Sequence, residues 1–162
     1  MSELVTQSIQ VVKQIPRKRA LLVFVTLIVV VLMAIPVFWV YRRESVGERV
    51  WIDNEMYVLE SADTEALRQK GLGGRGTLCE TCGMLFVFDR PDRYAFWMKD
   101  MRFPLTVIWL AGEQVVFIAR DVAPDFPGVI SPPVPADRVI EINAGRARAL
   151  NHGDQVRFSS DE

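Results

Sequence analysis

Residues 20–41 of this 162-residue chain, ALLVFVTLIVVVLMAIPVFWVY, run for 22 positions without a charge, and no other feature so narrows what the chain can fold into. A helix rises about 1.5 Å per residue, so the roughly 30 Å apolar layer of a bilayer needs about 20 apolar residues. The run is long enough, and a single transmembrane helix is expected. Lys13, Arg17, Lys18 and Arg19 precede it against Glu3, whereas Arg42 and Arg43 behind it are soon offset by Glu44 and Glu48. That bias places the N-terminus in the cytoplasm. Phe38, Trp39 and Tyr41 stand where an interfacial aromatic belt lies, and Pro36 falls near the end of the span, where few backbone bonds remain to break. A cleaved signal peptide has a shorter apolar core, about 7 to 15 residues, ending at small residues. Here the run closes on Trp, Val, Tyr and Arg. The expected order is a cytoplasmic segment 1–19, a membrane span 20–41, a linker 42–49, an extracytoplasmic domain 50–158 and a polar tail 159–162.

The stretch beyond the span has the length of one domain, enough for a single core and too short for two. Of the 19 basic residues six precede residue 47, and of the 20 acidic residues two do, which leaves 13 against 18 and a net charge of −5 beyond it. An acidic domain with scattered basic residues is a poor match for nucleic acid, whose phosphates need a basic face, or for an anionic lipid patch beyond the anchor. The bilayer, contacted through 20–41, is the expected partner.

Residues 50–52 and 56–59 read as short extended pieces around Asp53-Asn54, a pair suited to a hairpin turn. In 61–71, Asp63 or Thr64 can cap a helix, Glu65 lies early, Arg68 and Lys70 late, and Gly71 stops it. Gly71, Gly73, Gly74 and Gly76 then make a loop, without the Gly-Lys-Ser/Thr ending and the strand-to-helix setting of a phosphate-binding loop. Segments 84–88, 94–98, 105–110 and 115–118 are rich in β-branched and aromatic residues and read as strands. Residues 121–137 hold prolines at 124, 127, 132, 133 and 135 and are expected to wander as a long loop. Residues 139–142 return to strand, 144–150 read as a short helix, and 156–158 as a closing strand. The fold class is therefore mainly β (α+β), a small domain with short helices and a closed or nearly closed sheet that hides its edges.

The densest chemistry lies in 86–110, where Trp97 and Met98 sit beside Lys99, Asp100 and Arg102. Strand alternation puts Phe96, Met98 and Asp100 on one face and Trp97, Lys99 and Met101 on the other. Two readings fit. An indole and an ammonium on one face can wall a pocket for a sugar ring or other flat ligand; alternatively Asp100 closes a turn before Phe103-Pro104, with Lys99 or Arg102 as a solvated partner. Arg75, Glu141 and Asn143 are further candidates, as polar residues at strand ends or in the glycine loop that can converge on one mouth.

Cys79 and Cys82 form C-E-T-C directly before a strand. A thioredoxin-type centre places this spacing at a helix N-terminus, and zinc needs about four ligands where the chain offers two thiols and one histidine, His152. If the domain lies outside the membrane, the oxidising surroundings favour a Cys79–Cys82 disulfide closing a very short loop. Neither a metal nor a cofactor is expected. His152 stands in an Asn-His-Gly-Asp turn, no Gly-x-Ser-x-Gly elbow is present, and Asp89 and Asp92 flank Pro91 in a hairpin loop, so no catalytic residue is named.

GMLFVF (83–88), FWMKDM (96–101), RFPL (102–105), VIEINAG (139–145) and the later GD (153–154) together resemble the DUF192 family, also called UPF0127, in the family's order and across nearly the whole outer domain. The resemblance implies a small β-barrel-like domain with short helices and, in a family whose biochemical function is not established, no activity. It favours the pocket reading around Trp97 and Lys99. Where the family often has Asp after the Pro-Leu pair this chain has Thr106, so no carboxylate role carries over to that position. The functional expectation is a single-pass, membrane-anchored binding or accessory module whose pocket takes a small polar ligand, a carbohydrate or envelope component. The alternatives are an enzyme of envelope metabolism using Lys99, Asp100 and a carboxylate, and a structural subunit docking through the proline-rich loop.

Overall fold

The computed structural model describes residues 47–159. The expected membrane span 20–41 and its flanks lie outside the described residues, among which no helix is long and apolar enough to cross a membrane.

Strands β1 (Glu48–Ile52) and β2 (Glu55–Ala62) form the opening hairpin. Its two turn residues, Asp53 and Asn54, both take positive φ, 51° and 63°, the left-handed pair that matches the twist of the flanking strands. Helix α1 (Glu65–Lys70) is set by its ends: the Thr64 hydroxyl accepts the Leu67 N–H, and the Gly71 N–H, at φ 51°, donates to the Leu67 carbonyl. The chain then enters β3 (Cys82–Asp92), which pairs parallel to β2 from Val58↔Cys82 to Ala62↔Phe86. Parallel neighbours cannot be joined by a tight turn. Helix α1 and the glycine loop are the crossover, and this places them over one face of the sheet.

The remaining strands are β4 (Phe96–Trp97), β5 (Leu105–Ala111), β6 (Gln114–Val122), β7 (Val129–Ile130), β8 (Ala136–Asn143) and β9 (Arg157–Phe158). Among the described residues, seven of the nine strands make one sheet in the order β6-β5-β8-β3-β2-β1-β9, and β4 pairs with β7 in a small ribbon. The sheet is a curled half-barrel. Its two edges approach at one end, where the Val115 N–H donates to the Asp154 carbonyl, the Gly153 N–H to Val115 and the Val156 N–H to Glu113. Each sheet face has its own core. Val50, Ile52, Tyr57, Leu59, Leu85, Ile108, Ile140 and Ile142 fill one side, and Met84, Phe86, Met98, Leu105, Val107, Trp109 and Val139 fill the other. Strand β5, buried on both faces from Leu105 to Leu110, is correspondingly a nearly continuous apolar run.

Four expected elements differ. The expected hairpin loop holding Asp89, Pro91 and Asp92 is the end of β3, where Asp92 pairs with Ala136 of β8 after a register shift. Residues 144–150 are not helical, because Gly145 and Ala147 take φ of 78° and 49° and neighbouring elements bind the segment's backbone: Asp121 accepts the Gly145 N–H, Asp53 the Ala149 N–H, and Arg120 donates to the carbonyls of Ala147 and Leu150. The expected strand 94–98 shrinks to Phe96–Trp97, since the chain turns at once and the Met101 N–H donates to the Met98 carbonyl. The proline-rich stretch contains β7 and the start of β8, so it is tied down at 129–130 by the pairing Trp97↔Val129.

Candidate functional site

Met84 on β3 pairs with Glu60 on β2 and with Glu141 on β8. Residues paired across a sheet project on the same side, so Glu60, Met84 and Glu141 share the face covered by α1 and the glycine loop. Between that face and its cover lies a cleft of about 450 Å³. Phe86, Phe88 and Glu141 of the sheet form its floor, α1 and 71–73 one wall, and 94–101 the other. The aromatic part is ordered by its own packing. Phe86 meets Phe96 edge-on at 4.8 Å between ring centroids, Phe96 meets Trp109 edge-on at 5.6 Å, and Phe88 stacks on Tyr94. The buried Trp109 indole donates to the Tyr94 carbonyl at 2.9 Å and fixes that wall to the core.

Glu141 is 5 % exposed. Burial pushes its carboxyl up to about 8, against the Leu72 N–H that it accepts and the nearby Arg75 charge, both of which favour ionisation. Its Oε2 has no hydrogen-bond partner among the described residues. A buried polar atom left unmatched costs about 1 to 3 kcal/mol, and this oxygen lies just beneath the floor of a cleft lined by charged as well as aromatic side chains. Beside it Arg75 grips Glu60 with both ends of its guanidinium, at 2.6 and 2.7 Å. That double hydrogen bond holds the Glu60 carboxyl below the usual range despite its partial burial.

Trp97 and Lys99 line the cleft, as does Met101 beyond them, while Trp97 as a whole is 53 % exposed. Trp97, Lys99, Asp100 and Arg102 also line an adjoining, shallower depression together with Lys70. Asp100 itself occupies the turn, at φ 59°, and its carbonyl accepts the Gly74 N–H at 2.9 Å, which ties the turn to the glycine loop. Arg75 lines neither the cleft nor the depression and is engaged on Glu60. Asn143 is not brought to the mouth: its side chain donates to the carbonyls of Leu78 and Cys79, at 3.2 and 2.8 Å, and supports the loop closed by the Cys79–Cys82 disulfide. Arg68, whose guanidinium lies 5.9 Å from the centre of the Phe88 ring, and the pair Phe86 and Phe88 were not among the sequence candidates. The i, i+2 spacing of Met84, Phe86 and Phe88 puts them on the Glu141 side, but only the parallel crossover shows that this side is left open. Among the described residues no three His, Cys, Asp or Glu side chains converge as a metal site would require.

A family model described as an uncharacterized ACR, DUF192, matches residues 49–158. Among solved structures the chain is similar to a Sinorhizobium meliloti protein provisionally described as a transcription regulator, with 27 % identity and a TM-score of 0.63 over 69 % of this chain and 93 % of that one. It is also similar to a protein of unknown function from Novosphingobium aromaticivorans, with 31 % identity and a TM-score of 0.61 over 68 % of this chain and 83 % of that one. No curated protein matches.

Proposed function

The chain belongs to the DUF192 family, and on that footing we propose that it is a single-pass membrane-anchored, extracytoplasmic binding module whose cleft takes a small polar ligand, a sugar or related envelope component. The anchor rests on the uncharged run 20–41 and its basic N-terminal flank. One observation carries the ligand reading: an aromatic-walled cleft of about 450 Å³ whose floor ends on a buried, unpartnered carboxyl oxygen. Pyranose rings present an apolar face to an aromatic side chain and hydroxyls to polar groups around it. Trp97 and the Phe88–Tyr94 pair offer such faces, and Glu141 offers a group that accepts at one oxygen and, when protonated, donates. Trp97→Ala and Lys99→Ala variants, shown to be folded by circular dichroism, are expected to lose at least tenfold in affinity for envelope oligosaccharides in calorimetry. Undiminished affinity in both overturns the reading.

A second reading is favoured by the position of the Glu141 carboxyl, near 8, because a general acid or base works best when it titrates near the working pH. In that reading the module is an enzyme of envelope metabolism. Turnover of an envelope oligosaccharide panel that vanishes in Glu141→Gln supports it, and turnover that persists there removes Glu141 from the chemistry.

A further inference from the structure

Resting on the glycan reading of the cleft, we propose that the ligand is an acidic sugar whose carboxylate is received by Lys70 and Lys99, on the wall shared by the cleft and the adjoining depression. Lys70 lies in the last turn of α1 and Lys99 in the turn after β4, and both line the cleft and the depression. The two segments are held together. The Gly74 N–H donates to the Asp100 carbonyl, and Gly73 packs so closely that a Cβ on it would stand 3.2 Å from the Lys99 carbonyl oxygen.

The cleft is lined by Arg68, Lys70, Arg90 and Lys99 against Glu65, Asp89 and Glu141, so its cations outnumber its acids. Arg68 is taken by Glu65 and Arg75 by Glu60, whereas neither Lys70 nor Lys99 has a carboxylate within 4 Å among the described residues. Arg102 adds a third cation to the depression, against Asp100 as the sole acid lining it. A cationic wall stands out in a domain whose net charge beyond residue 46 is −5.

Glu141 makes the site compatible with an anion. It is only 5 % exposed, and burial shifts its carboxyl toward the protonated form, which lessens the negative charge at the floor. Trp97 lines the cleft and the depression together with both lysines, so a uronate ring against its indole has the two ammonium groups on the same wall for its carboxylate.

The experiment uses the full chain in detergent micelles and two disaccharides that differ only in the oxidation of C6, α-1,4-digalacturonate and α-1,4-galactobiose, titrated by calorimetry. Digalacturonate is expected to bind at least tenfold more tightly at low salt. The preference should shrink in 0.5 M NaCl, and the ratio of the two affinities should fall toward one in Lys70→Gln and Lys99→Gln. Equal or tighter binding of galactobiose overturns the acidic-sugar assignment and leaves the glycan reading standing. A preference for digalacturonate that survives both lysine substitutions overturns the roles of Lys70 and Lys99. If neither disaccharide binds, the glycan reading falls, and this inference with it.

Discussion

A Cβ placed on Gly71 would lie 3.4 Å from Oε2 of Glu141 and 3.6 Å from Cζ of Phe86, at a backbone φ of +51°. The residue that ends α1 is thus also the one that packs directly against the buried carboxyl. Gly71→Ala is expected to cost about 1 to 3 kcal/mol, because φ 51° with ψ −138° is a backbone conformation that only glycine adopts without strain, and to place a methyl group against Glu141. A lowered melting temperature together with a several-fold loss of oligosaccharide affinity checks both effects. A melting temperature unchanged within about 1 °C, where a penalty of this size should move it by several degrees, would show that the backbone there is not held in this glycine-only conformation.

Glu141 makes stability depend on pH in an unusual sense. Its folded-state pKa is raised from 4.5 to about 8, so between those values the folded chain binds more protons than the unfolded one. The protonated carboxyl contributes its full stability below about pH 4.5, and the contribution is lost as pH rises through about 8. The loss is at most about 5 kcal/mol for a shift of this size. In Glu141→Gln the decline between pH 5 and 8 should largely vanish, leaving the variant more stable than the parent at pH 8. Urea unfolding across that range measures it, and parallel pH profiles for the two proteins would contradict the burial argument.

Where the signal was local, the sequence carried it. Thr64, Glu65, Lys70 and Gly71 mark the ends of α1 by capping and charge, Asp53-Asn54 marks the hairpin, and Cys79 and Cys82 are close enough to pair whatever the rest of the fold does. Alternation along 97–101 grouped Trp97, Lys99 and Met101, and all three line the cleft although the strand stops at Trp97. Non-local partners set the remainder. Residues 144–150 have helical composition, yet Asp121, Asp53 and Arg120 bind their backbone groups in a non-helical path. Glu141 and Asn143 lie two apart on β8 and share a face, but the cleft ends between them, and its end is fixed by where the crossover lays α1. That crossover follows from the parallel pairing of β2 with β3, which no short stretch of sequence encodes.

The Cys79–Cys82 disulfide closes a loop of sequence separation 3. Loop-closure entropy for so short a loop is about 2 kcal/mol at most, and Asn143 already holds the same segment by donating to Leu78 and Cys79. The double variant Cys79→Ser, Cys82→Ser is therefore expected to fold and to lose less than about 2 kcal/mol, with Asn143→Ala in that background costing more than Asn143→Ala alone. A double variant that fails to fold would show that the disulfide organises the entry to β3 rather than reinforcing it. In intact cells, an impermeant thiol reagent applied after reduction should label these cysteines; labelling only after lysis would place the domain inside.

Arg75 couples the two carboxyls of the site with opposite consequences. It holds Glu60 below the usual range mainly through their hydrogen bonds, and its charge opposes the rise that burial imposes on Glu141. Glu60, with its pKa depressed on folding, contributes stability above its unfolded value that is lost as pH falls through the folded one, while Glu141 contributes stability that is lost as pH rises. Arg75→Gln should remove the acid-side contribution and move Glu141 still higher. Because the pair is about a third to a half exposed, the stability cost near pH 6 is expected to be only about 1 kcal/mol. Arg75→Lys keeps the charge and loses the two-pronged geometry, so it should hold Glu141 near its parent value while releasing Glu60. Carboxyl ¹³C titration of the two glutamates in both variants reads these shifts directly. Glu141 titrating at the same pH in parent and Arg75→Gln would show that Arg75 acts on Glu60 alone.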